Sequence, residues 1–140
     1  MDWTELATHL NGIAHLAAAS PTGEPHVSVV APILEEGRLW IMTRATSGKA
    51  ARLAANPRAA LVWRSAKTSS EAYLYGRAEL VDDLAEKRRL WTSGRLPFDP
   101  AAFFGSAENP DLVLVRITPT RAVVLTSVDG RPTVLRWQAP

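Results

Sequence analysis

The chain has 140 residues, of which 46% are apolar, and its 16 basic and 14 acidic side chains leave a formal net charge of +2. That length suits one compact domain spanning residues 1–140 and leaves little room for two, while the small, scattered charge excess gives nucleic-acid binding no support. The absence of cysteine excludes a disulfide framework, a thiolate metal site and a cysteine nucleophile.

Met1 to Glu5 is acidic and amphipathic, and no run approaches the roughly 18 apolar residues of a membrane span, so a cytoplasmic location without a membrane partner is expected. Residues 2–11 read as a short helix with Trp3, Leu6, Ala7 and Leu10 on one face and Asn11-Gly12 at its end. Ile13–Ala19 and Pro25–Leu34 read as a hairpin across a Pro- and Gly-containing turn. Glu35-Glu36-Gly37 then leads tightly into Arg38–Thr43, completing a meander of strands before a helix that begins at Ser47 and stops at Asn56-Pro57.

Ala59–Trp63 and Glu71–Val81 read as the next strands, with Gly76 inside the second marking a bulge or a close approach by backbone or ligand. Asp82-Asp83 opens a helix that ends near Gly94, and its charged residues face solvent. Arg95 to Asp111 is irregular, with a helical turn near Phe103, and is long enough to cover a site. Leu112–Ile117 alternates as a strand, Pro119 breaks it, Ala122–Thr126 resumes, and Asp129-Gly130 turns into a last strand ending at Trp137. Six or seven strands joined mostly by hairpins point to a mainly β protein, a small antiparallel barrel with peripheral helices. Side chains fill a barrel of this size, so a ligand sits outside it or between subunits, which favours a dimer. The five tryptophans, Trp3, Trp40, Trp63, Trp91 and Trp137, suit cores or oligomer interfaces, with stacking on a ligand as a rarer use.

The segment from Ile41 to Pro57 carries the clearest chemistry. Ser47 is a good N-cap, yet Lys49 then falls in the first helical turn, where the dipole disfavours a cation by roughly 0.3–1 kcal/mol. Thr43, Arg44, Ser47, Lys49 and Arg52 converge there on free backbone N–H groups, an arrangement suited to an anion such as phosphate. A plain capped helix with Lys49 and Arg52 on a solvated face fits the same residues. Neither Gly-x-x-x-x-Gly-Lys-Ser/Thr nor Gly-x-Gly-x-x-Gly occurs, which argues against a nucleoside-triphosphate enzyme. No paired carboxylates or triad emerge, and His9, His15 and His26 lack ligand spacing, although His15 and His26 could approach on neighbouring strands.

Taken in order, several segments resemble the pyridoxamine 5′-phosphate oxidase-like, FMN-binding split barrels, and most closely their general stress protein branch. They are Leu16 to Ser28 with its Ser20-Pro21-Thr22-Gly23-Glu24-Pro25 turn, Gly37 to Thr43, Ser47-Gly48-Lys49, Asn56-Pro57-Arg58-Ala59-Ala60-Leu61, Tyr75 to Asp83, and Leu114 to Ala122. The resemblance covers nearly the whole chain and implies a Greek-key split barrel that forms a homodimer with FMN at the subunit interface. Thr43, Ser47 and Lys49 would then hold the phosphate, and the strand Val27-Ser28-Val29-Val30 would lie along the isoalloxazine ring. Trp91 to Phe104 would come from the other subunit or cap the pocket. With Met42 and the nearby cations, the implied cofactor-binding set is Val27, Ser28, Val29, Met42, Thr43, Arg44, Ser47, Lys49, Arg52 and Trp91, without a catalytic side chain or a metal ligand.

The chain also departs from that pattern. Many flavin-binding relatives carry Arg where Ser28 stands, and Arg44 or Arg52 could substitute for it. The C-terminal Arg and His signature of the true oxidase is absent, which argues against vitamin B6 oxidation. Three functions stay open: an FMN-dependent oxidoreductase acting on a small molecule, a reductase using the deazaflavin F420 on the same scaffold, and a non-catalytic flavin-binding protein.

Overall fold

A computed structural model describes residues 1–140. In chain order the elements are α1 (Trp3–Ala7), β1 (Ala14–Ala19), β2 (Pro25–Val30), β3 (Ile33–Glu35), β4 (Arg38–Arg44), α2 (Gly48–Ala55), β5 (Arg58–Ser65), β6 (Ser70–Val81), α3 (Leu84–Trp91), α4 (Pro100–Phe104), β7 (Leu112–Val128) and β8 (Arg131–Gln138). The eight strands form one antiparallel sheet in the order β2-β1-β5-β6-β7-β4-β3. β4 pairs with the first part of β7, and β8 pairs with the rest.

The period-two alternation of the strands decides what they bury. Leu16 of β1, Leu39 and Ile41 of β4, Leu61 and Trp63 of β5, Leu74 of β6 and Ile117 of β7 all belong to one 19-residue buried cluster, joined by Leu6, Leu10 and Leu53 from the helical segments. β1 and β4 are far apart in the strand order, so the sheet must curl for their side chains to share a core. The other face of β4 and β7 is also buried, because Trp40, Met42, Leu112 and Leu114 pack with Ile33 and with Leu90 of α3 in a second cluster.

The curl leaves an open seam. β2 pairs with β1 on one side only, and β3 stops pairing with β4 at Trp40, so Ile41 to Arg44 are bonded to β7 alone. Two free strand edges therefore flank the seam.

Four features differ from the sequence-based expectation, one of them in α3, where Lys87 is buried and paired with Asp82 in place of facing solvent. The first helix ends at Ala7, closed at its start by a capping box between Asp2 and Glu5. The run Pro25–Leu34 divides at Ala31-Pro32 into β2 and β3, which pair with different partners, and this contributes to eight strands in place of six or seven. Pro119 does not break its strand: β7 runs 17 residues through it, because the sheet bulges at Tyr75/Gly76, opposite Pro119. The close approach expected at Gly76 is present, since a Cβ there would lie 2.6 Å from the Thr118 carbonyl oxygen.

Candidate functional site

The seam opens into a groove of about 510 Å³, lined by Ile13, by Val29, Val30 and Ala31 at the end of β2, by Met42, Thr43 and Arg44 at the end of β4, by Ser47 and Lys49 at the start of α2, and by Pro97, Phe98, Phe103 and Phe104. Six of the ten residues singled out from the sequence line it together: Val29, Met42, Thr43, Arg44, Ser47 and Lys49.

Its polar end is built by the β4–α2 turn. Ser47 adopts extended backbone geometry and its hydroxyl accepts the Ala50 N–H at 3.2 Å, while the Thr43 hydroxyl lies 3.2 Å from that of Ser47. The N–H groups of Gly48 and Lys49 have no protein acceptor. Lys49 is half-buried beside them without a carboxylate partner, and burial alone pushes its ammonium below the ordinary lysine range. A half-buried cation, two free N–H groups and two hydroxyls at a helix start are an arrangement chemically suited to an anion.

The remaining residues of the set lie elsewhere. Arg52 folds back over the first turn of α2, donates to the Gly48 carbonyl at 3.1 Å and approaches Glu24 at 3.8 Å. A Cβ at position 48 would lie 2.7 Å from Arg52 Nη1, so any larger residue there would make the end of the Arg52 side chain shift. Ser28 stands opposite Leu16 on the core side of the sheet, and its hydroxyl, His26 Nδ1 and Arg52 Nε are buried without protein partners. Val27 points to the opposite face, where it is 64% exposed. Trp91 lines a separate cleft with Arg88 and Glu108. His15 and His26 project from opposite faces of the β1–β2 pair and do not meet, because His15 faces Val29 across the ladder and His26 faces Ala18.

Arg44 is committed within the protein. Its guanidinium donates to Asp111 Oδ2 at 3.2 Å and to the Phe103 carbonyl at 2.6 Å, and it lies 5.5 Å from the centre of the Phe104 ring. Burial pushes the Asp111 carboxyl up, but the hydrogen bonds from Arg44 and Thr46 outweigh it and hold the group below the ordinary aspartate range.

The apolar end is an aromatic wall in which Phe98 and Phe103 meet edge to face, 5.4 Å between centres. The sequence marked Arg95 to Asp111 as a covering loop without singling out Pro97, Phe98, Phe103 and Phe104, because the segment has no periodicity from which facing could be read. Ile13 and Ala31 were read only as members of the strands Ile13–Ala19 and Pro25–Leu34, whereas each lies just outside a strand.

On the outer face of the sheet, the ladder places Val27 and Val29 beside His15 and Ala17 of β1, then Ala60 and Val62 of β5, Tyr73 of β6, Val123 and Leu125 of β7, and Val134 of β8. Much of this row is uncovered: Val29 is 60% exposed and Val134 47%.

The profile of the pyridoxamine 5′-phosphate oxidase family matches residues 7–126. No curated protein matches the chain in sequence. Among solved structures, a protein from Clostridium acetobutylicum related to general stress protein 26 of Bacillus subtilis superposes with a TM-score of 0.75 at 18% identity, covering 96% of this chain and 90% of that one. A structure described as an F420 reductase gives a TM-score of 0.64 at 22% identity over 79% of this chain and 88% of that one. An FMN-binding protein from Nostoc punctiforme, described as related to pyridoxamine 5′-phosphate oxidase, gives 0.59 at 16% identity over 91% and 88%. The curled antiparallel sheet with its open seam is the split barrel expected from the sequence, and the chain belongs to the pyridoxamine 5′-phosphate oxidase family.

Proposed function

We propose that this protein is an FMN-dependent oxidoreductase acting on a small molecule, with its cofactor in the seam groove and the site completed by a second copy of the chain. The observation that carries this reading is Lys49, a half-buried cation without a counter-ion at the start of α2, beside two N–H groups that lack acceptors. A phosphate monoester supplies the charge and the acceptors this turn lacks. Thr43, Ser47 and Lys49 would hold it. The free edges of β2 and β4 offer backbone N–H and C=O groups to the polar rim of a heteroaromatic ring, and Val29 and Met42 offer apolar contact to its faces.

Bound FMN supplies one- and two-electron transfer, and the protein's part is to bind, orient and exclude water. No carboxylate or imidazole lines the groove, so its own side chains provide no general acid or base of those kinds. The uncovered outer face runs into the groove through Val29, which supports a homodimer whose partner closes the cofactor site.

The test is parallel fluorescence titration of cofactor-free protein with FMN, riboflavin and the deazaflavin F420, combined with sedimentation. FMN bound more tightly than riboflavin by a dimer supports the proposal. Preference for F420 transfers the site to a deazaflavin-dependent reductase, and binding of none of the three overturns both readings. A monomer that still holds flavin removes the interface site.

A further inference from the structure

We infer that Arg44 and Asp111 form a positioning pair that holds the aromatic wall over the groove, and that Arg44 is not a ligand of the bound anion. The inference rests on the flavin reading above for what the groove holds, but the wall and its fastening are properties of this chain.

The wall's apolar hold on the rest of the molecule is limited to Phe98 and Phe104, partly buried against the second cluster. α4 is five residues long and contains no buried side chain, and Phe103 is 59% exposed. A helix this short is not stable in isolation, so its position depends on fastenings. Asp99 caps its start by accepting the Ala101 N–H at 3.1 Å. Arg44 adds a polar link to the sheet through its 2.6 Å hydrogen bond to the Phe103 carbonyl and its position beside the Phe104 ring.

Asp111 holds the other side of that guanidinium and binds the anion turn as well. Its carboxylate accepts from the Thr46 N–H and the Thr46 hydroxyl, both at 3.2 Å, and its carbonyl accepts the Ala45 N–H at 2.7 Å. Asn109 ties the same connection down by donating to the Phe104 carbonyl and accepting the Asp111 N–H, both at 2.9 Å. One carboxylate thus registers the turn that carries Ser47 and Lys49 against the segment that carries the phenylalanines. Nη1 and Nη2 of Arg44 each donate to one of these partners, and in this division of roles the phosphate is left to Lys49, the hydroxyls and the free N–H groups.

The division of labour separates two measurable quantities. Affinity for riboflavin reads ring contacts, and the ratio of riboflavin to FMN dissociation constants reads the phosphate. Arg44→Ala should weaken both flavins by a similar factor, about tenfold for the loss of a charge-assisted hydrogen bond, and leave the ratio unchanged. Lys49→Ala should collapse the ratio and leave riboflavin affinity unchanged. A collapsed ratio in Arg44→Ala would make Arg44 an anion ligand and overturn the inference.

A second arm needs no flavin. Amide hydrogen exchange across residues 97–106 of the cofactor-free protein should accelerate about tenfold or more in Arg44→Ala and in Asp111→Asn, and less in Arg44→Lys, which keeps a cationic donor group without the guanidinium fork. Unchanged exchange in both Arg44→Ala and Asp111→Asn would refute the positioning role. If wild-type protein binds no flavin, the cofactor reading fails while the exchange arm still decides whether the pair fastens the wall.

Discussion

β4 and β2 face each other across the seam, and they are built in opposite ways. β4 is buried on both faces, with Leu39 and Ile41 in the barrel core and Trp40 and Met42 beneath α3, whereas β2 turns only one face inward and leaves Val27 and Val29 to solvent. Both are strands of a similar apolar character. The difference lies in what the rest of the chain places against them: α3 and the segment after it cover β4 and β7, and nothing covers the outer face of β2 and β1. A strand held from both sides makes a rigid frame for the β4–α2 turn at its end, while an uncovered apolar edge strand is a surface that natural proteins normally protect or pair.

The largest effect separating the two halves should come from Trp40→Ala. Trp40 is fully buried, its indole N–H donates to Glu35, and the guanidiniums of Arg89 and Arg116 lie 5.8 and 5.7 Å from its ring centre. Denaturant unfolding should show a loss of about 3–5 kcal/mol. Next in size, Lys49→Ala should weaken FMN binding by about 1.5–3 kcal/mol in titration without altering the unfolding midpoint of the cofactor-free protein.

A smaller effect is expected from Glu35, which joins the covered half together. Arg89 donates to it at 2.7 and 3.1 Å and the Trp40 indole adds another bond, so its carboxyl sits below the ordinary value of 4.5 despite the opposing effect of burial. A carboxyl with a lowered native pKa stabilises the fold above its ordinary value and loses that contribution as pH falls through the native one. The stability gap between wild type and Glu35→Gln should therefore be widest near neutrality and narrow below about pH 4.5. Equal gaps at pH 7 and pH 3 would show that the ion pair adds nothing.

The smallest effect on folding is expected at β2. Val27→Thr should change the unfolding free energy of dilute protein by less than about 0.5 kcal/mol, while Val27→Lys should shift sedimentation toward monomer. A large loss of monomer stability in Val27→Thr would erase the contrast between the halves.

The β4–α2 turn could be read in the sequence because its determinants are local. Ser47 caps the helix that Asn56-Pro57 ends, and the spacing of Thr43, Ser47 and Lys49 brings them to one turn whatever the rest of the chain does. The two prolines show where local reading stops. Pro32 ends β2 and Pro119 does not end β7, because the register with β6 shifts between Tyr75 and Gly76, passing over Thr120 of β7, and pairing resumes on both sides. The aromatic wall was also out of reach, since Phe103 and Phe104 are positioned by Arg44 and Asn109, 59 and five residues away from the carbonyls they hold.

Alternation, caps and turn residues were enough to establish an antiparallel, mainly β chain with a Ser47-capped helix start beside Lys49, since these depend on neighbours within a few residues. The curl that unites β1 and β4 in one core, the commitment of Arg44 to Asp111 and the bare apolar face of β2 were decided only by tertiary structure. Each depends on groups distant in the chain meeting in space, and short-range periodicity carries no information about which distant groups will meet.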